Sequence, residues 1–242
     1  MEYLILEIYT QSSTFKNPDF QNFQKSYHLP PPTTIMGMAG AGLGKGPLEV
    51  QNYFKNNKIK IGIYGNTLGN TLDLLKFYKK NGSEIKSDII RREILFFNNF
   101  YMVFVSSTEV IKELEKAFKN PIYALTLGNS DSISFIKNFY KGEYDIDKKV
   151  ETTIENTIVE GDILREVIEN SDNGKEFSVY STSEPISYDI PVDFIYEEEY
   201  RYRQINRRKI FSFVGNKMKL NIGKEGIRYK EAFIPILSPW EE

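Results

Sequence analysis

The chain has 242 residues, 40% hydrophobic and 26% charged, enough for a packed core and too apolar for wholesale disorder. With no Cys and a single His, it excludes a disulfide scaffold, a thiolate metal centre, a Cys nucleophile and most His-based metal sites. The formal net charge of −2 hides three blocks, +4 over residues 1–140, −12 over 141–200 and +6 over 201–242, so any footprint for a polyanion is local.

The first predicted element is a strand over Tyr3–Tyr9, with Leu4, Leu6 and Ile8 on one face. A polar loop leads to Pro30, Pro31 and Pro32. Thr33 or Thr34 can then cap a short helix over Ile35–Gly44, one side of which is made small by Gly37, Gly40, Ala41 and Gly44. A second strand follows over Lys58–Tyr64. Residues 65–90 lose the pattern and read as a Lys-rich insertion. Ile94–Val105 is a third strand, rich in Phe and Tyr. Ser106 with Glu109 fits a capping box for a helix carrying Val110, Ile111, Leu114, Ala117 and Phe118, and Pro121 stops it. Ile122–Leu127 is the fourth strand, closed by Gly128.

The order β-α-β-β-α-β predicts an α+β fold, a ferredoxin-like (RRM-type) unit over residues 1–140 with an insertion at about 65–90. Residues 141–242 read as a β-rich C-terminal lobe packed on the first. Asn173–Gly174 is a turn signal there, and Gly215–Asn216 suits a two-residue hairpin between KIFSFV and KMKLNI. No leader-like segment opens the chain and no apolar run reaches the ~18 residues of a membrane span, so a cytoplasmic protein is expected.

Four motifs carry candidate chemistry. The stretch GMAGAGLGKG fails as a phosphate loop. Counting back from Gly44–Lys45 puts Ala39 at the first glycine, and Gly46 stands where Ser or Thr is required. It reads as close backbone packing, with the Thr33–Thr34 helix start available to a phosphate. Lys25, Tyr27 and His28 could form a metal-independent RNA-cleaving group, with Tyr and His as acid–base pair and Lys as charge stabiliser. No partner base for His28 is evident, which favours a loop or stacking role. The carboxylates of residues 143–199, ending in Glu197–Glu199, read as a solvated face rather than a metal site. The strongest signal is basic. Arg201, Arg203, Arg207, Arg208, Lys209, Lys217 and Lys219 occur without an intervening acid, interleaved with Tyr200, Tyr202, Phe211 and Phe213. Cations for phosphates and rings for bases are what single-stranded RNA binding needs. Arg91 and Arg92 form a second, smaller cluster.

The segments FKNPDF, SYHLPPPTTIMGMAGAGLG, RREILFFNNFYMVFV and YALTLGNSDSI, in this order over residues 1–135, resemble the CRISPR-associated Cas-five family, RAMP subunits of the type I interference complex Cascade. The resemblance implies a subunit that binds the 5′ handle of guide RNA and caps one end of the complex. Its implied partners are the backbone subunits and the large subunit. It also implies an RRM-like domain with a thumb between the second and third strands, and no cofactor or metal. One branch of that family cuts precursor RNA with a Tyr and a Lys-His pair, but this sequence has no Lys-His dipeptide. The resemblance transfers most directly to Tyr27, Thr33, Thr34, Gly37, Arg91 and Arg92. The expected function is therefore non-catalytic guide-RNA binding. A metal-independent endoribonuclease and an unrelated RRM-like RNA-binding module are the alternatives.

Overall fold

Strand alternation at the N-terminus buries both faces of the first strand. Leu4, Leu6 and Ile8 are fully buried in the main core, while Tyr3 and Ile5 belong to a second core on the other side. This requires layers on both sides of the sheet, and a computed structural model supplies them. It describes residues 1–20, 22–81, 84–164, 185–197 and 202–241.

The elements in chain order are β1 (Glu2–Ser13), β2 (Phe15–Lys16), β3 (Phe23–Gln24), β4 (Ser26–Tyr27), α1 (Pro32–Leu43), α2 (Pro47–Asn56), β5 (Lys60–Asn81), β6 (Glu84–Ser106), α3 (Thr108–Lys119), β7 (Ser134–Glu143) and α4 (Tyr144–Asp147). They continue with β8 (Lys148–Ile154), β9 (Thr157–Glu160), β10 (Ile186–Glu197), β11 (Tyr202–Val214), β12 (Met218–Tyr229) and β13 (Ala232–Pro235). The fold is mixed α/β and mostly antiparallel. The main sheet runs β10-β11-β9-β5-β6-β1-β7, and β3 adds to β6 in parallel. Helices α1, α2 and α3 bury Ile35, Met38, Val50, Phe54, Ile111 and Leu114 against one face. A second sheet, β13-β12-β8, places Ile227, Ala232 and Ile234 on the other. Strands β9, β10 and β11 extend the main sheet past residue 140. Ile158, Ile190, Val192, Phe211 and Phe213 thus share one core with the N-terminal elements.

Several expectations are corrected. Helix α1 starts at Pro32 with Pro31 as its N-cap and no side-chain cap, so Thr33 and Thr34 lie inside the first turn. Proline is suited to that place, because its ring sets a helical φ and its missing N–H is not needed there. Helix α2 adds an element to the predicted order; Pro47 at its start, the Glu49 carboxylate accepting from the Gly46 N–H at 2.7 Å, and the Val50–Phe54 spacing are its signals. Ser107, not Ser106, caps α3, its hydroxyl accepting from the Val110 N–H. The fourth strand of the first unit is Ser134–Glu143 rather than Ile122–Leu127. The earlier stretch donates from Ile122 N to Gly42 O and from Tyr123 N to Ala41 O, both at 3.1 Å. It thereby satisfies carbonyls that the end of α1 leaves free, and is not available to pair in the sheet.

Residues 65–90 are the outer half of a long ribbon. β5 and β6 stay paired in register from Lys60↔Val105 out to Asn81↔Glu84. The alternation that betrays a strand with one buried face is missing there, because both faces lie beyond the core. Gly215–Asn216 does not close a hairpin. β11 pairs with β10 and β9, whereas β12 pairs with β13 and β8, so this turn carries the chain from one sheet to the other. Asn173–Gly174 lies outside the described residues.

Candidate nucleic-acid interface

A cleft of about 700 Å³ opens where the start of α1 faces β10 and β11. Tyr27, Thr33, Thr34 and Gly37 line it from β4 and α1. Pro191, Phe194, Arg203, Ile205 and Arg208 line it from the other side, and Thr126, Gly128 and Asn129 from the loop before β7. Its volume suits a nucleotide-sized group. Candidate residues from the two ends of the chain thus share one site.

Local chemistry explains the arrangement. Gly37 is exposed, and a Cβ there would meet nothing within 4 Å, so the backbone of α1 is open to the cleft. The smallness of Gly40 and Gly42 serves packing instead, since Cβ atoms there would lie 3.2 Å from Val50 and 3.3 Å from the Ala117 carbonyl. No acid sits in the first turn of α1, and the positive end of the helix dipole is left to an anion. Arg203 lies over the Phe194 ring, 5.0 Å from its centroid. Arg208 donates to the Asp189 carbonyl at 2.9 Å and stands 3.9 Å from its carboxylate. Lys16 adds a third cation to the lining.

The basic stretch is divided by strand alternation together with the register shifts beside Asp193. Arg207 donates to the Glu241 and Pro239 carbonyls at 2.9 and 3.3 Å, and Lys209 to Glu160 at 2.8 Å and the Ser238 carbonyl at 3.0 Å. These two tie down the C-terminal segment and do not line the cleft. Phe211 and Phe213, expected to stack on bases, are core residues at 0% and 1% exposure. Arg201, Tyr200, Glu198 and Glu199 lie outside the described residues. Of the other acids in residues 143–199, Glu151 pairs with Arg228, Glu160 with Lys209 and Asp193 with Lys55, while Glu197 accepts from Gln204 Nε2 at 3.0 Å. Among the described residues no cluster of three or more His, Asp or Glu is placed to hold a metal.

Arg91 and Arg92 sit on opposite faces of the β5–β6 ribbon, away from the cleft. Arg91 is exposed, whereas Arg92 is buried and bonded to Asp73 at 2.9 Å, with Asp131 at 3.9 Å. The Arg92 hydrogen bond holds the Asp73 carboxyl below its ordinary range. The pair is expected to separate on mutation. Arg92→Ala lowers Tm by roughly 3–8 °C, because a buried guanidinium and its ribbon contact are lost. Arg91→Ala, at an exposed position, leaves Tm unchanged. Thermal scans of the two single variants check this.

Of Lys25, Tyr27 and His28, only Tyr27 lines the cleft. Its ring is 3% exposed, stacked on Phe213 at 5.1 Å and edge-on to Tyr188 at 4.8 Å. Burial raises its hydroxyl well above the usual phenol range. His28 packs edge-on to Phe213 at 5.5 Å, with no partner for its buried Nε2, and burial pushes its pKa down to about 4. Folded His28 therefore stays neutral where the unfolded chain, with an ordinary value near 6.5, takes up a proton. Stability is full above about pH 6.5 and is lost progressively as pH falls toward 4. The loss expected from this residue is about 2–3 kcal/mol. Denaturant midpoints measured between pH 4 and 7 should fall less steeply in His28→Gln.

Sequence reasoning missed Phe194, Asn129 and Lys16. Local patterns carry no signal for them, since their place beside the start of α1 follows from long-range packing.

A family model described as CRISPR-associated protein (Cas_Cas5) matches residues 3–208. No curated protein sequence matches the chain. Solved structures share the fold, among them two that cover nearly the whole chain. One is a chain of a CRISPR RNA-guided surveillance complex, 10% identical, with a TM-score of 0.54 and coverage of 91% of both chains. The other is a CRISPR protein from Archaeoglobus fulgidus, 11% identical, with a TM-score of 0.55 and coverage of 98% of this chain and 100% of that one. Among the described residues, no helix is long and apolar enough to cross a membrane.

Proposed function

The chain belongs to the CRISPR-associated Cas5 family, and from that premise we propose that it binds the 5′ handle of CRISPR guide RNA and caps a type I interference complex. The observation that carries this reading is the convergence of Tyr27, Thr33, Thr34 and Gly37 with Arg203 and Arg208 on one cleft. The Thr33 and Thr34 hydroxyls, the positive end of the α1 dipole and two arginines suit phosphates, and the half-buried Phe194 ring under Arg203 suits a base, whereas Tyr27, buried against Phe213, shapes the wall. Arg91 contributes a further contact from the ribbon. The backbone subunits and the large subunit of the complex are its protein partners. The strand order β7-β1-β6-β5, with α1, α2 and α3 on one face, supports a ferredoxin-like βαββαβ unit whose thumb is the β5–β6 ribbon.

The role is binding without catalysis. The Tyr27 hydroxyl is hard to ionise, and His28 has no partner that would make it a base. Incubation of the full chain with labelled repeat RNA, with and without EDTA, should give a bound complex and uncut RNA over hours at neutral pH. Site-specific cutting that disappears in His28→Ala or Tyr27→Phe would overturn this in favour of the endoribonuclease.

A further inference from the structure

A buried side chain outside the cleft is built into one of its walls. Gln51 on α2 is 2% exposed. Its Nε2 donates to the Phe194 carbonyl at 2.8 Å, and its Oε1 accepts from the Phe194 N–H at 3.0 Å. A carboxamide that takes both groups of one residue copies the peptide of a neighbouring strand. The copy is needed there. Strand β10 lies at one end of the main sheet, and its pairing with β11 is interrupted on either side of Asp193. A bulged edge strand leaves backbone groups without ladder partners and leaves the direction of its side chains underdetermined.

The anchoring extends around the bulge. Asp193 is 5% exposed, accepts from Asn206 Nδ2 at 2.6 Å and pairs with Lys55 at 2.5 Å. Its Oδ1 also accepts from the Phe194 N–H at 3.0 Å. Lys55 and Gln51 come from the same helix, so α2 grips the bulge at two successive residues. Phe194 is the residue that carries the Arg203 guanidinium over its ring, and both line the cleft. We infer that Gln51 is a positioning residue for RNA binding: through the Phe194 backbone it holds the Phe194–Arg203 stack in the orientation that meets an unpaired nucleotide. Arginine laid on an aromatic ring presents a flat cationic face on which a base can stack. Holding that face in place beforehand spares the ordering cost at the moment of binding.

This rests on the cleft being the RNA site, and the test separates the two claims. The full chain, its Gln51→Met and Arg203→Ala variants and the double variant are titrated with a fluorescein-labelled single-stranded RNA of the host's CRISPR repeat. Met keeps the volume of Gln and removes both hydrogen bonds. Gln51→Met is expected to weaken binding about tenfold in the otherwise unchanged chain and less than twofold in the Arg203→Ala background, since coupled residues are not additive. Equal loss in both backgrounds means that Gln51 acts on the fold at large, and no loss in either means that the stack holds itself; each overturns the inference. Thermal melting of the Gln51→Met protein at the titration temperature must show it folded. If it does not, Gln51→Glu, which keeps the acceptor for the Phe194 N–H and loses the donor, replaces it in the same cycle with the same two outcomes. A wild-type chain without affinity for the RNA removes the binding reading itself, and this inference with it. Wild-type affinity that survives Arg203→Ala unchanged removes the inference alone.

Discussion

Replacing Arg203 and Arg208 together by Ala is expected to weaken binding of the guide-RNA handle by about 3–6 kcal/mol, the loss of two charge-assisted contacts. Both side chains line the cleft and both are exposed, so little folding stability goes with them. The salt slope should fall by about 1.4, at ~0.7 per single-stranded phosphate contact. Arg203→Lys and Arg208→Lys keep the charge but lose the planar fork, and Lys at 203 also loses the stack on Phe194. Part of the affinity should therefore vanish with the slope almost unchanged. The contrast is the Arg207→Ala, Lys209→Ala pair. These side chains hold the C-terminal segment through Glu241, Pro239, Ser238 and Glu160. That pair should lower Tm and leave the salt slope as it was. Titrations at several salt concentrations decide the matter. A double Arg203, Arg208 variant with wild-type affinity and slope would place the RNA elsewhere.

Phe213→Ala is expected to cost about 3–5 kcal/mol of folding stability, the range for deleting a fully buried ring and leaving a cavity. Phe213 is 1% exposed and is the hub of an aromatic group. Tyr27 stacks on it at 5.1 Å, Tyr188 meets it edge-on at 5.3 Å and His28 at 5.5 Å. Tyr27 and His28 precede α1, whereas Phe213 is the penultimate residue of β11, so the ring joins the two ends of the chain. Its removal should loosen the Tyr27 side of the cleft as well. RNA affinity should therefore drop with stability, unlike the arginine variants, which lose affinity alone. Phe213→Leu fills most of the cavity and should cost less than half as much. Urea unfolding of both variants checks the ordering, and a cost below about 1 kcal/mol for Phe213→Ala would mean that β11 is not anchored in the main core.

The parts of the molecule written in local pattern were legible without coordinates. Strand β1 is one example, because alternation of Leu4, Leu6 and Ile8 with Tyr3 and Ile5 has the period of a pleat buried on both faces. Helix α3 is another, with a hydroxyl cap, an apolar stripe and a proline stop all agreeing. The outer half of the β5–β6 ribbon is visible in the sequence only as an interruption. Its strands leave the core and so lose the burial that gives alternation its meaning, yet their backbone pairing continues. Small errors had local causes: two adjacent serines offer the same cap, and two adjacent prolines move the start of α1 back to Pro32.

Local sequence is enough to mark the residue types suited to RNA: Tyr27, Thr33, Thr34 and Gly37 around the start of α1, and a run of arginines near the C-terminus. It also carries the family, by motifs within residues 1–135 and by a family match over residues 3–208. Which cations face the cleft depends on how distant strands pack. Along β11, alternation separates Arg208 from Arg207 and Lys209, which turn to the C-terminal segment, and the register shift between Arg207 and Ile205 lets Arg203 line the site with Arg208; Phe211 and Phe213 are buried. The same holds for Arg92, which spacing cannot distinguish from Arg91 but which burial pairs with Asp73. The physical reason is common to both. Charge and ring content are properties of residues, whereas direction is a property of register. Register here is set by the bulge at Asp193 and by strand pairings between distant parts of the chain, which no short stretch encodes.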